Sequence, residues 1–287
     1  MAVLDDYVPI VQTEADGLAQ FLDTLSADDW QRPSACDLWA IRDVAAHLIW
    51  AADFYTDTVS RGRQGDISLP EDRPPGDAPD PASMPAYFDQ QAMRVRDRLG
   101  ARLLPTFRSS YQSLSHLMLG LSPQEWDMPC SFFRHYGGQQ PAQTFLFLII
   151  QELVIHGWDI RSRFDEAATL TAESLPPLIE RIPNRFPRMP GLSQFPIDTD
   201  RWPLVRYRFD LEADCAMSYD MVAEGGKARM EPSGNVRADV SLQCDRATFV
   251  LMMYKRLNLD PVSLPTQVTV EGDQALVAAL DQWLKQS

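Results

Sequence analysis

PAQTFLFLIIQELVIHGWDIRSR, from Pro141 to Arg163, is the stretch from which the rest of the chain can be understood. It opens on a proline, whose missing N–H has no partner in the first turn of a helix anyway. The residues that follow, Phe145 to Ile150, are all apolar, so the predicted helix is buried on most of its circumference rather than along one stripe. Into this run the sequence inserts Glu152 and His156, one helical turn apart on the same face. A carboxylate and an imidazole in such surroundings are costly unless something pairs with them or is coordinated by them.

Working outward, the 287 residues are enough for two domains with separate cores. The start of the chain lacks a basic segment followed by an apolar one, and no uncharged apolar run reaches membrane-spanning length. A cytoplasmic, non-membrane protein is expected. A formal charge of −14 argues against nucleic acid or an anionic membrane as partner, because phosphate binding needs a concentrated basic surface. Cys36, Cys130, Cys215 and Cys244 are scattered without CxxC spacing, which disfavours a disulfide scaffold.

Towards the N-terminus, apolar residues from Leu4 to Leu25 recur in steps of three and four and predict a first amphipathic helix. A second is predicted over 38–59, with Ile41, Val44, Leu48 and Ala52 on its apolar face and His47 beside it. From Gly62 to Pro85 prolines (Pro70, Pro74, Pro75, Pro79, Pro81 and Pro85) and charges mark a surface loop or lid. A third helical region spans 84–120, to be kinked or divided by Pro105, and a loop then leads into the central helix. The expected N-terminal domain, 1–168, is therefore an antiparallel four-helix bundle.

After Arg163 a proline-rich stretch suggests a short helix and an extended connector over 169–203. Beyond it, 205–211, 217–222, 227–231 and 238–244 read as strands, with turns at Gly225-Gly226 and Ser233-Gly234. Asp245 is the expected N-cap of a helix running to Arg256, followed by a strand in QVTVEGD and a last helix from Asp273 to Trp283. Residues 204–287 are thus expected to form a smaller α+β domain.

Two ligands at i and i+4 with a third from a neighbouring helix build a metal site economically inside a bundle, and His47 is the candidate third ligand. Two His and one Glu occur in catalytic zinc sites that keep a position open for water or substrate. The alternative at this point is a Glu–His pair hydrogen-bonded to its neighbours. Asp159 is placed to support the site by hydrogen bonding, Asp43 either to orient His47 or to serve as a helix-start carboxylate, and His135 in the preceding loop to reach substrate or a metal. Cys36 is a weaker candidate as an internal nucleophile, and His116 reads as an ordinary helix residue.

WAIRDVAAHLIW (39–50) resembles the first signature of the DinB-like bundle superfamily, and ELVIHGWDI (152–160) resembles its partner in the mycothiol-dependent maleylpyruvate isomerase family. That resemblance extends over nearly the whole chain. It implies a DinB-like metal-binding bundle followed by a sterol-carrier-like domain, with His47, Glu152 and His156 as ligands of a divalent metal, zinc being the preferred guess. It also implies a low-molecular-weight thiol, mycothiol, that adds to an electrophilic small molecule, as in cis–trans isomerisation or S-transfer. Arg256 stands where the family tends to carry the second residue of a Gly-Arg pair and is the candidate for recognising a substrate carboxylate; here the first residue is Lys255. Two other classes stay open: a metal-dependent hydrolase or lyase without a thiol, and a non-catalytic small-molecule binder.

Overall fold

The computed structural model describes residues 4–36, 39–68, 84–133, 137–186, 193–211, 217–260 and 268–285. Contacts divide the chain into two units, Met1–Ala168 and Thr169–Ser287. Most of the expected loop over 62–85 and all of His135 lie outside the described residues.

The first unit is mostly helical. Helices α1 (Val8–Asp23), α2 (Ile41–Arg63), α3 (Met84–Leu99), α4 (Leu103–Leu119) and α5 (Ala142–Arg161) carry its core. α2 packs against α3, α4 and α5, and α1 against α4 and α5. No residue of α5 is exposed, as its continuous apolar run predicts. Within 84–120, however, the division falls at Gly100 and not at Pro105. Gly100 takes φ +52°, open to glycine at little cost, whereas Pro105 sits in the first turn of α4 where its absent N–H is not needed.

The segment expected as a plain loop before α5 contains a small hairpin, β1 (Pro129–Ser131) with β2 (Gln139–Pro141). Its short strands lack the alternation that announces a strand, so the sequence pattern misses it. The hairpin fixes where α5 begins: Pro141 lies in β2 and caps the helix in an extended conformation, and the Ala142 amide donates to the Met128 carbonyl at 3.0 Å. It also meets α2 closely, because a Cβ built on Gly62 would lie 2.6 Å from Cys130 Sγ and 3.1 Å from the Pro129 carbonyl oxygen.

The second unit combines a helical layer with a five-stranded sheet. Its helix α6 (Leu175–Arg185) packs against α7 (Arg246–Met253). The strands are β3 (Leu204–Asp210), β4 (Ser218–Glu224), β5 (Lys227–Pro232), β6 (Val240–Gln243) and β7 (Thr269–Gly272), followed by α8 (Gln274–Lys285). Their order is β5-β4-β3-β6-β7, with β3 and β6 parallel and the other neighbours antiparallel. Gly225 (φ +56°) and Gly226 (φ +76°) make the two-residue β4–β5 turn that such positive angles require. Asp245 caps α7, its Oδ1 accepting from the Thr248 amide at 2.8 Å.

At the end of α7, Lys255 takes φ +62°, the only non-glycine with positive φ among the described residues. Its ammonium donates to the Trp283 carbonyl and lies 3.2 Å from that residue's ring centroid. Burial, with Arg185 nearby adding repulsion, pushes its pKa down to about 7 from 10.5.

Two outcomes are expected. Gly62→Ala forces the hairpin away from α2 and should lower stability to urea by about 1–3 kcal/mol, as overpacking does. For Lys255 the folded pKa is depressed, so between pH 7 and 10.5 the unfolded chain holds a proton that the folded chain has lost, and stability rises with pH through that window. Urea midpoints at pH 7 and pH 9 should therefore differ less in Lys255→Met than in the parent, both chains keeping the same backbone conformation.

Candidate metal centre

His47 projects from the second turn of α2, and Glu152 and His156 from successive turns of α5. The paired helices bring all three together: ligand-capable atoms of His47, Glu152 and His156 lie within 4.8 Å of one another. His47 Nε2 is 2.9 Å from Glu152 Oε2, and His156 Nε2 is 3.3 Å from the same oxygen. The imidazole rings are 4.9 Å apart, set edge to face.

Asp159 lies one turn beyond His156 and is fully buried. Its Oδ2 is 2.9 Å from His156 Nδ1. That contact assigns Nδ1 of a neutral His156 as the N–H donor and leaves the Nε2 lone pair on the side of Glu152 and His47. The Asp159 carbonyl accepts from the Ala35 amide at 2.8 Å, which anchors the preceding loop against α5. Cys36 follows in that loop, half-buried, and its thiol hydrogen-bonds His156. Cys36, His156 and Asp159 form a second group whose ligand-capable atoms lie within 4.8 Å of one another, sharing His156 with the first.

Asp43 does not orient His47. Its Oδ2 accepts from the Ala40 amide at 3.0 Å, capping α2, and its Oδ1 accepts from Arg96 Nη1 at 2.8 Å. His47 Nδ1 is buried and has no hydrogen-bond partner among the described residues. His116 stands exposed in the last turn of α4. Arg256 belongs to the second unit, where its Nη1 donates to the Tyr254 carbonyl at 3.1 Å.

The electrostatics follow from burial and proximity. Burial opposes the charge on Glu152, but hydrogen bonds with His156 and His47 outweigh it and hold the carboxyl far below the usual range. Burial also dominates at His47, lowering its pKa against the pull of Glu152. At His156 burial is overcome by hydrogen bonds with Asp159, Cys36 and Glu152, so its pKa stands well above the ordinary value. By geometry and donor type the set fits a divalent cation, which would take the place of the His156 proton: two imidazole nitrogens and a carboxylate oxygen converge, and two carboxylates stand ready to offset its charge.

An aromatic wall adjoins the donors. The Trp39 ring lies 4.8 Å from His47, and those of Trp50 and Phe88 each 6.0 Å from it. Trp39 Nε1 donates to Asp89 Oδ1 at 2.9 Å, tying the loop before α2 to α3. Sequence reading missed this wall because its members come from separate elements and show no shared periodicity.

A helical unit whose buried face gathers two histidines and a glutamate, ahead of an α+β unit, defines the class of protein. Residues 11–161 match the family described as the mycothiol maleylpyruvate isomerase N-terminal domain, and the chain belongs to that family. Residues 200–285 match the SCP-2 sterol transfer family. Among solved structures, a mycothiol-dependent maleylpyruvate isomerase aligns over 94% of this chain and 93% of its own, with a TM-score of 0.61 and 14% identity. A histidine-to-alanine mutant of a mycothiol-dependent maleylpyruvate isomerase aligns over 89% of this chain and 90% of its own, at a TM-score of 0.61 and 13% identity. At those identities the likeness is one of fold. No curated protein matches the chain in sequence.

Asp159→Asn keeps the shape of the side chain and removes its charge. It should weaken cobalt(II) binding by about 10–100-fold, as loss of an outer carboxylate does, measured by competition with a chromophoric chelator at unchanged helix content.

Proposed function

We propose that the chain is a metal-dependent enzyme in which His47, Glu152 and His156 hold a divalent cation, zinc by preference, and a small-molecule thiol of the mycothiol type adds to an electrophilic substrate. The observation that carries this reading is the convergence of three donor side chains from two helices on one point. The family description supports the thiol. We read α1, α2, α4 and α5 as a four-helix bundle with α3 laid against α2. The reducing cytoplasm, where a thiol cofactor stays reduced, is the proposed compartment.

When bound, the cation supplies the positive charge that keeps a coordinating thiol ionised, hence nucleophilic, at neutral pH. The protein's own groups do the positioning. Asp159 holds the His156 ring through Nδ1, and Glu152 stays ionised between two imidazoles. Arg256 is assigned to recognition of a substrate carboxylate by its planar fork, and His135 to contact with substrate. Attack by sulfur on one carbon of a conjugated cis double bond forms a C–S bond and moves the π electrons onto the conjugated carbonyl. Rotation about the resulting single bond and expulsion of the same sulfur then leave the trans isomer. If the enolate instead takes back on carbon the proton that the thiol gave up and the adduct is released, the reaction is an S-transfer.

Elemental analysis of purified parent and His156→Ala protein tests the metal. About one equivalent is expected in the parent and little in the variant. Mycothiol added to the cobalt-substituted parent should then shift its visible spectrum. Metal without a spectral response points to a hydrolase or lyase, and a parent that takes up no metal to a non-catalytic binder.

A further inference from the structure

Away from the metal centre, the first unit holds a cleft of about 610 Å³, within the roughly 300–1,000 Å³ of small-molecule sites. It lies between the end of α1, the short turn that carries Trp30, the start of α2 and the α3–α4 junction at Gly100. Leu22 and Leu103 line it as buried residues, and Leu25, Trp30 and Leu104 as half-buried ones. None of His47, Glu152 and His156 lines it, so an occupant is not held by the metal donors.

Two guanidiniums share this lining, Arg42 from the first turn of α2 and Arg96 from the last turn of α3. Arg96 is engaged: its Nη1 donates to Asp43 Oδ1 and its Nε to Asp97 Oδ1, both at 2.8 Å. Asp23, which also lines the cleft, accepts from Arg108 Nη2 at 3.1 Å. Arg42 differs. Its Nε is buried without a hydrogen-bond partner among the described residues, and Asp43 Oδ1 at 3.9 Å is beyond hydrogen-bond reach. With Asp43 and Asp97 hydrogen-bonded to Arg96, the planar fork of Arg42 is the group at this cleft suited to a carboxylate brought from outside. A second negative charge on the same ligand would face Asp23 and Asp97.

We propose that this cleft binds an amphiphilic monocarboxylate, its carboxylate on Arg42 and its apolar body against Leu22, Leu25, Trp30, Leu103 and Leu104. Burial of apolar surface supplies attraction for the body of the ligand, and the charge-assisted pair selects an acid over the matching alcohol. The site is independent of the metal-and-thiol reading and gives the first unit a second place at which it takes a small molecule.

The test reads the indole N–H signals of the full chain labelled with ¹⁵N-tryptophan, the Trp30 signal being assigned with Trp30→Phe. Octanoate serves as the acid probe and octan-1-ol as the neutral one, each titrated at neutral pH. Octanoate should shift the Trp30 signal along a saturable curve and bind about tenfold more tightly than octan-1-ol. Arg42→Gln should weaken octanoate by about tenfold, the size of one lost charge-assisted pair, and leave octan-1-ol within about twofold. Arg42→Lys, which keeps the charge and lacks the fork, should restore only part of the loss. Unchanged signals from the other indoles show that the variants are folded. Octan-1-ol binding as tightly as octanoate, or an octanoate affinity that Arg42→Gln does not alter, overturns the proposal. So does a shift at Trp202 or Trp283, in the second unit, without one at Trp30, because it places the probe elsewhere.

Discussion

A carboxylate placed in the middle of an apolar helix has to be matched by something, and in this chain the match comes from a different helix. Glu152 sits on α5 among residues of which none is exposed, and its Oε2 lies 2.9 Å from His47 Nε2 on α2. Breaking such a buried pair strands a charge, which typically costs about 3–5 kcal/mol. The interaction therefore does more than decorate a helix–helix contact. It sets the register in which α2 faces α5, and α2 in turn contacts α3 and α4.

The same constraint explains which parts of the site could be read from residues alone. Glu152 and His156 are legible because their spacing puts them on one face of a helix that has no other reason to carry polar groups. His47 is less so: it stands beside the apolar face of the second helix as a candidate, and the resemblance of 39–50 supports it, but its place depends on how two helices pair. Asp43 lies one turn from His47 yet works at the start of its own helix, where Arg96 from α3 completes its bonding. Spacing along one helix cannot foretell a partner brought in by another. The proximity of Cys36 to His156 is of the same kind, because it rests on a backbone bond between Ala35 and Asp159 that joins residues far apart in sequence.

In the second unit, alternation along short strands and the double glycine at 225–226 made most elements readable, because each signal is local. Lys255 shows what the sequence conceals. A glycine at that position would suit φ +62° at little cost, whereas a lysine there carries backbone strain of about 1–2 kcal/mol. Its stem and ammonium lie against Trp283, whose ring also meets Phe186 and Phe195. Packing on that aromatic face offsets part of the strain, so Lys255 trades backbone ease for a side-chain contact.

The division of labour at His156 gives the site its direction. One ring has two nitrogens, and α5 supplies a carboxylate to each: Asp159 at Nδ1 and Glu152 at Nε2. These carboxylates differ in surroundings, since Asp159 is fully enclosed while the side chain of Glu152 keeps 20% of its surface exposed. The enclosed one can only orient the ring. The partly accessible one lies against His47, whose ring in turn meets those of Trp39 and Phe88. A helix that places an enclosed carboxylate one turn after a histidine and an accessible one a turn before it thus fixes both the tautomer and the open edge of the imidazole, before any partner helix contributes.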